Sequence, residues 1–431
     1  MNMSKPLNKP YWTGAWIRFR EPVSDFASCE QATVYAHDGA QCRGLYWTPK
    51  SLSKPKVAVI AAHPRVDFSE HYAFPQMLRA GYACFGANLR SLKNDVNCIH
   101  EQLLLDMAAH MQWLRDKKGI EKVVWLGNSG GGSLGCFYQA QAKAASAQRL
   151  KVTPAGRPVP LAEIEMPPFD AMVISAAHIG QGLIVNETID PSVVDEHRPL
   201  LTDPHLDMYD PANGFRPAPE WSHYAPEFVE RYRAAQLARV ARLDAVARAM
   251  VLEKNDAEVM QSNEGFSSLP FTAQRSILQR ASFQPVMVIY RTLANLHYVD
   301  NTLDPSGRGY GSLISNRPHL MNYQLSGFGR MQTPDAWLST WSGLSSNANL
   351  LKNAAAVTEP VAVVHAGRDL DVYPRTHTQR ILEALGSTDK TYFDFPEALH
   401  YFEPDDGEDA NAGAMAQMAK VVPWLESRVP L

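Results

Sequence analysis

The residues of greatest chemical interest in this chain lie in Lys122-Val-Val-Trp-Leu-Gly-Asn-Ser-Gly-Gly-Gly-Ser133. An apolar, strand-like run leads into G-x-S-x-G, and a helix-compatible run continues to Ala147. The spacing has a steric reason. A nucleophile on a tight strand-to-helix turn needs a strained backbone, and only small neighbours let the adjacent chain approach. Gly127 and Gly131 provide that room and Ser129 provides the hydroxyl, with Asn128 and Gly130 between them. The helix N-terminus behind the turn favours developing negative charge, which suits nucleophilic attack on a carbonyl. Glycine-rich turns of this kind also bind phosphates. This one lacks the lysine of G-x-x-x-x-G-K-[ST] and does not match G-x-G-x-x-G. Ser133 is expected to face the helix and pack.

Such a turn needs a sheet beneath it. Val57–Ala62, Tyr82–Ala87, Lys122–Leu126, Ala171–Ser175 and Val361–Val364 are continuous apolar runs, the pattern of strands buried on both faces. An early hairpin is expected from Ala32–Ala36 and Gln41–Thr48, joined by His37-Asp38-Gly39-Ala40. Leu103, Met107, Met111 and Leu114 recur at helical spacing, and Gly119 closes that helix. Alternating strands and helices build an α/β fold, a mostly parallel sheet with helices on both faces. Residues 183–355 break this rhythm. Seven prolines fall from Pro191 to Pro226, and a long helix follows over Phe228–Glu253. Leu237, Val240, Leu243, Val246 and Met250 mark its expected apolar face, with Arg231, Arg239, Arg242 and Arg248 on a solvated one. The segment is rich in aromatics, including Trp221, Tyr224, Tyr298, Tyr310, Tyr323, Trp337 and Trp341. It reads as a large, mainly helical cap over the sheet's carboxyl edge, with residues 1–182 and 356–431 forming the core.

On these residues the chain resembles the α/β-hydrolase superfamily, in which nucleophile, acid and histidine follow one another in the sequence. The resemblance covers roughly residues 30–182 and 356–431 and does not extend to the cap. It is also similar to a group of bacterial hydrolases that carry HPxxDFxxHY and GNSGGGS. Here these read His63-Pro64-Arg65-Val66-Asp67-Phe68-Ser69-Glu70-His71-Tyr72 and Gly127 to Ser133. The resemblance implies an acid after a late strand, where Asp369 and Asp371 stand. The family's G-x-x-D-x-x-x-P is imperfect, because Gly367 sits only two residues before Asp369. Asp369 comes first after the strand and is preferred, with Asp371 the alternative; either could instead cap a helix near Thr376. Of 14 histidines, only His400 follows both the acid loop and a final strand-like run, Thr391–Pro396. In that order His400 takes the Ser129 proton and Asp369 orients the imidazole.

An oxyanion hole needs two N–H donors. Gly130 supplies one from its backbone, and the resemblance places the other in Ala62-His63-Pro64-Arg65. Pro64 has no N–H, so the Arg65 backbone is the expected donor, and its guanidinium could reach a substrate carboxylate. His63, Asn128 and Tyr401 are expected to border the substrate. His63 and His71 lack a third ligand at metal-binding spacing, so neither a metal nor another cofactor is expected.

Net charge is −4 and no basic run dominates, which argues against nucleic acid or an anionic membrane as partner. Five scattered cysteines read as free thiols of a reducing compartment. The first residues carry no apolar signal core, and no stretch approaches the roughly 18 apolar residues of a membrane span. A cytoplasmic protein is expected, with a small ester-like substrate as partner and homo-oligomerisation left open. The expected activity is hydrolysis of a carboxylic ester, with an apolar or aromatic portion, through an acyl-serine. Carbon–carbon bond hydrolysis, thioester cleavage or acyl transfer would use the same triad, and a non-catalytic ligand cage is the contrasting class.

Overall fold

In the computed structural model, which describes Leu7 and residues 16–431, the apolar runs become the middle of one eight-stranded sheet. Its strands are β1 (Ala27–Tyr35), β2 (Gln41–Pro49), β3 (Val57–Ala61), β4 (Ala83–Asn88), β5 (Lys122–Asn128), β6 (Ala171–Ser175), β7 (Val361–Ala366) and β8 (Lys390–Phe395). Their order across the sheet is β1-β2-β4-β3-β5-β6-β7-β8. β2 runs antiparallel to β1 and to β4, and every later pair is parallel. This is the α/β-hydrolase fold. The β1–β2 hairpin turns where expected, with Gly39 at φ +81° supplying the left-handed residue.

The longer helices are α1 (Phe74–Arg79), α2 (His100–Lys118), α3 (Gly130–Lys143), α4 (Gln181–Thr188), α5 (Pro226–Ser262), α6 (Phe271–Ser282) and α7 (Ala412–Arg428). Every residue of β3, β6 and β7 is buried, because helices cover both faces. Alternate side chains serve opposite layers. Ile60 and Trp125 pack with Met111 of α2 and Leu134 of α3, while Val59 and Val124 pack with Met77 of α1 and Trp424 of α7.

The insertion between β6 and β7 has a core of its own, in which Phe215, Tyr224, Phe228, Tyr232, Leu296 and Tyr298 pack together. It is anchored on the sheet layer by Glu101, a fully buried carboxyl that accepts from Ser339 Oγ at 2.6 Å and Asn347 Nδ2 at 2.9 Å. Ala348, Leu350 and Ala354 already belong to the sheet-side core, so the chain rejoins it ahead of residue 356.

α5 is longer than expected and turned differently. Val240 and Leu243 are buried, but Leu237 and Val246 are 44% and 45% exposed. The inward line is Tyr232, Gln236, Arg239, Leu243, Ala247 and Val251. Arg239, expected in solvent, is fully buried and pairs with Glu196 at 2.6 Å. It also donates to the carbonyls of Asp190 at 2.7 Å and Tyr290 at 2.9 Å. Gln236 does the same for Glu187 and Ile189, at 2.7 and 2.9 Å. Irregular chain packed against the helix leaves buried carbonyls without ladder partners, and polar side chains of α5 satisfy them. Among the described residues no helix is long and apolar enough to cross a membrane.

Candidate active site

Ser129 leaves β5 at φ 53°, ψ −124°, a backbone conformation that costs a non-glycine residue about 1–3 kcal/mol. Its surroundings hold it there. The Ser129 N–H donates to the Ser175 carbonyl of β6 at 3.2 Å. A Cβ on Gly131 would lie 2.6 Å from the Ala62 carbonyl oxygen, and one on Gly127 2.9 Å from the Gly132 Cα. The glycines therefore let β3, β5 and α3 converge on the serine. Gly130 opens α3, so its N–H has no acceptor within the helix.

Asp369 and His400 come from the loops after β7 and β8 and meet below the same cavity. The Asp369 carboxylate accepts backbone N–H bonds from Asp371 at 2.9 Å and Val372 at 3.1 Å. Its other oxygen accepts from His400 Nδ1 at 2.5 Å. This fixes the tautomer and assigns proton acceptance to Nε2. Burial works against a charged His400 ring, but the Asp369 charge and hydrogen bond outweigh it and raise its pKa. Asp371 stands on the cavity wall, and the carboxylate on His400 Nδ1 is Asp369.

The expected backbone donor at Arg65 is corrected by the structure. Both Arg65 N–H and Val66 N–H donate to His63 Nδ1, each at 3.0 Å. These amides cap the ring and are spent on it. The contact fixes the tautomer of the ring. With Nδ1 accepting, the neutral His63 ring carries its proton on Nε2, and that atom would lie 2.7 Å from a Cβ on Gly130. Burial first, then the Arg65 charge, pushes the His63 pKa well below its ordinary value, so it stays a neutral donor. His178, in the loop after β6, repeats the device. Its Nδ1 accepts from Gly180 N–H at 3.2 Å, and Nε2 would lie 3.3 Å from the same Cβ. Burial, helped by His377 and His400, pushes its pKa down to about 3. Sequence reasoning missed His178; the available signal was a histidine shortly after a buried strand, a position shared by His63.

The Arg65 guanidinium is held by Asp95 at 2.6 Å and lies 4.9 Å over the Trp341 ring. Asn128, expected at the substrate, lies below the cavity instead. Its Nδ2 donates to the Ser175 carbonyl at 2.9 Å and its Oδ1 is 3.2 Å from His71 Nε2, so it braces the turn. Tyr401 lines the cavity with its ring edge-on to His400. Arg20 straps this loop by donating to the Tyr401 and Phe402 carbonyls, both at 2.5 Å. Nothing local in the sequence announces a partner 381 residues away.

Ser129, His63, His178, His400, Asp371 and Tyr401 share one cavity of about 40 Å³, closed from the insertion by Leu313 and Phe328. None of the seven aromatics singled out in the cap lines it. Trp337, Trp341, Tyr224 and Tyr298 are buried within the fold instead. No group of three or more His, Cys, Asp or Glu among the described residues is arranged to hold a metal ion.

No protein-family model matches the chain, and no curated protein sequence is similar to it. Among solved structures, an esterase from Pyrococcus furiosus aligns over 95% of this chain and 97% of its own at 9% identity, TM-score 0.41. The esterase domain of a Rhodothermus marinus protein aligns over 93% and 98% at 12% identity, TM-score 0.42. A hypothetical protein from Pseudomonas aeruginosa aligns over 96% and 97% at 12% identity, TM-score 0.46.

Proposed function

We propose that this protein is a serine hydrolase that cleaves a carboxylic ester through an acyl-Ser129 intermediate. The observation that carries the reading is the buried Asp369–His400 pair at the cavity that Ser129 enters from a left-handed turn. His400 Nε2 accepts the Ser129 proton as Oγ attacks the ester carbonyl. The tetrahedral oxyanion is met by the Gly130 N–H and by the Nε2–H of His63. The C–O bond to the alcohol then breaks, and His400 returns its proton to the departing alkoxide. Water, activated by the same histidine, releases the acid and restores Ser129. The Asp369 carboxylate holds the ring and stabilises the imidazolium.

The confined cavity and its apolar closure by Ile184, Leu313 and Phe328 favour a short acyl group with an apolar contact surface. A panel of p-nitrophenyl esters of increasing acyl length, with one thioester and one diketone, tests the reaction class. Rates are expected to fall as the acyl chain lengthens. Labelling by a fluorophosphonate is expected at Ser129 alone. A folded protein in which Ser129 resists the probe, or one that turns over the diketone and no ester, would sink the proposal.

A further inference from the structure

Resting on the ester-hydrolase reading, we infer that the substrate carries an anionic group beyond its scissile carbonyl, held in a second pocket by Arg330 with Arg18 and Lys93 at the rim. This pocket, about 530 Å³, adjoins the catalytic cavity, and Arg65 and Val66 line both. The segment after Leu325 is a second shared wall: Phe328 faces the cavity, while Gly327 and Arg330 face the pocket. A substrate can therefore present its carbonyl to Ser129 and its far end to the pocket.

Charge pairing singles out Arg330. Within the insertion Arg330 lies in the field of two other guanidinium groups, Arg239 and Arg291. Arg239 is paired with Glu196 at 2.6 Å and Arg291 with Asp190 at 2.7 Å. Arg330 is only 8% exposed, yet no carboxylate among the described residues forms an ion pair with it. It donates from Nη2 to the Asn322 carbonyl at 3.0 Å and the Ser326 carbonyl at 3.3 Å, and its Nε has no hydrogen-bond partner. Burial first, then repulsion from Arg239, brings its pKa down to about 10. The Asp190 carboxylate also acts on Arg330, but it is ion-paired with Arg291, so the buried Arg330 has no ion pair of its own, and an anion entering the pocket would offset the cost of its burial.

The acidic residues of the pocket do not fill the role. Asp95 is engaged by Arg65, and Asp67 accepts from Ser69 and Asn88. Arg308, also buried without an ion pair, differs. It lines neither space, and Asp304 and Asp300 oppose its burial.

The test compares esters of equal length that end in either a methyl group or a free carboxylate, the terminus being placed on the acyl chain in one set and on the alcohol in another. At low ionic strength the carboxylate member of one set is expected to show a KM about tenfold or more below its neutral twin. In Arg330→Met the ratio of kcat/KM for the charged over the neutral ester is expected to fall about tenfold. A ratio cancels any general loss of active protein. The double variant Arg18→Gln, Lys93→Gln, at exposed positions, is expected to lower the same ratio about threefold and covers the case in which Arg330→Met does not fold. Equal KM values for charged and neutral esters in both sets, or a ratio unmoved in the variants, overturns the inference. If no ester is turned over, the catalytic reading alone has failed. Calorimetric titration of the full chain with glutarate then decides: binding that Arg330→Met abolishes supports the anion site, and no binding overturns it.

Discussion

Around β5 and β7 the buried side chains are almost all apolar, whereas α5, enclosed along one face only, turns Gln236, Arg239 and Asp244 inward. The difference follows from where each region's backbone hydrogen bonds go. Strands of the sheet satisfy one another, so their side chains need only fill volume. Much of the insertion has no ladder, and its enclosed carbonyls must find side-chain donors. One region is held by burial and the strand ladder, the other by burial plus a charge-assisted network. The candidate site lies at their seam. The sheet's carboxyl edge contributes the groups on loops after β3, β5, β6, β7 and β8, and the insertion contributes closure.

The comparison is tested most strongly at the serine. Ser129→Ala is expected to lower kcat by as much as about a millionfold while thermal unfolding changes little. Retained turnover would place the chemistry elsewhere than the sheet edge. Asp369→Asn is expected to cost about ten-thousandfold in kcat, because it removes the acceptor that holds the His400 tautomer. Asp371→Asn, measured alongside, is expected to cost less than about tenfold. Reversal of those two would assign the acid to the other loop position. For the oxyanion, His63→Ala is expected to lower kcat about a hundredfold with a smaller change in KM.

The insertion predicts stability effects instead. Arg239→Met is expected to destabilise by about 3 kcal/mol in denaturant titration, since Glu196 and two carbonyls lose their donor. Arg231→Met on the exposed face should stay within about 0.5 kcal/mol. Similar values for the two would mean that burial alone holds the insertion.

The smallest effect is in pH. His400 must be neutral to accept a proton, and its pKa lies above the ordinary histidine value, so the acid limb of kcat/KM is expected above about pH 6.5. In Asp369→Asn the strongest influence opposing burial is lost and the limb should move down. Stability runs the other way: the paired, protonated ring stabilises the fold below the unfolded pKa and loses that contribution as pH rises through the raised one. An acid limb below about 6.5 in the unmodified protein would contradict the pairing.

The sequence by itself determined the parts governed by local sterics and periodicity. Glycine spacing around Ser129 specified a strained turn, continuous apolar runs specified β3, β5, β6 and β7, and the proline-rich stretch after Ile189 marked where the regular alternation stops. Tertiary structure alone decided the parts that depend on which partner arrives from a distant segment. It placed Asp369 against His400, moved the Arg65 amide onto His63 Nδ1 and so set that ring's Nε2 beside Gly130. It set Asn128 beneath the turn, buried Arg239 in a face that periodicity had assigned to solvent, and left Arg330 without an ion pair among the described residues. Periodicity records how often a side chain is apolar, not which carbonyl or carboxylate the fold brings within hydrogen-bond reach of it.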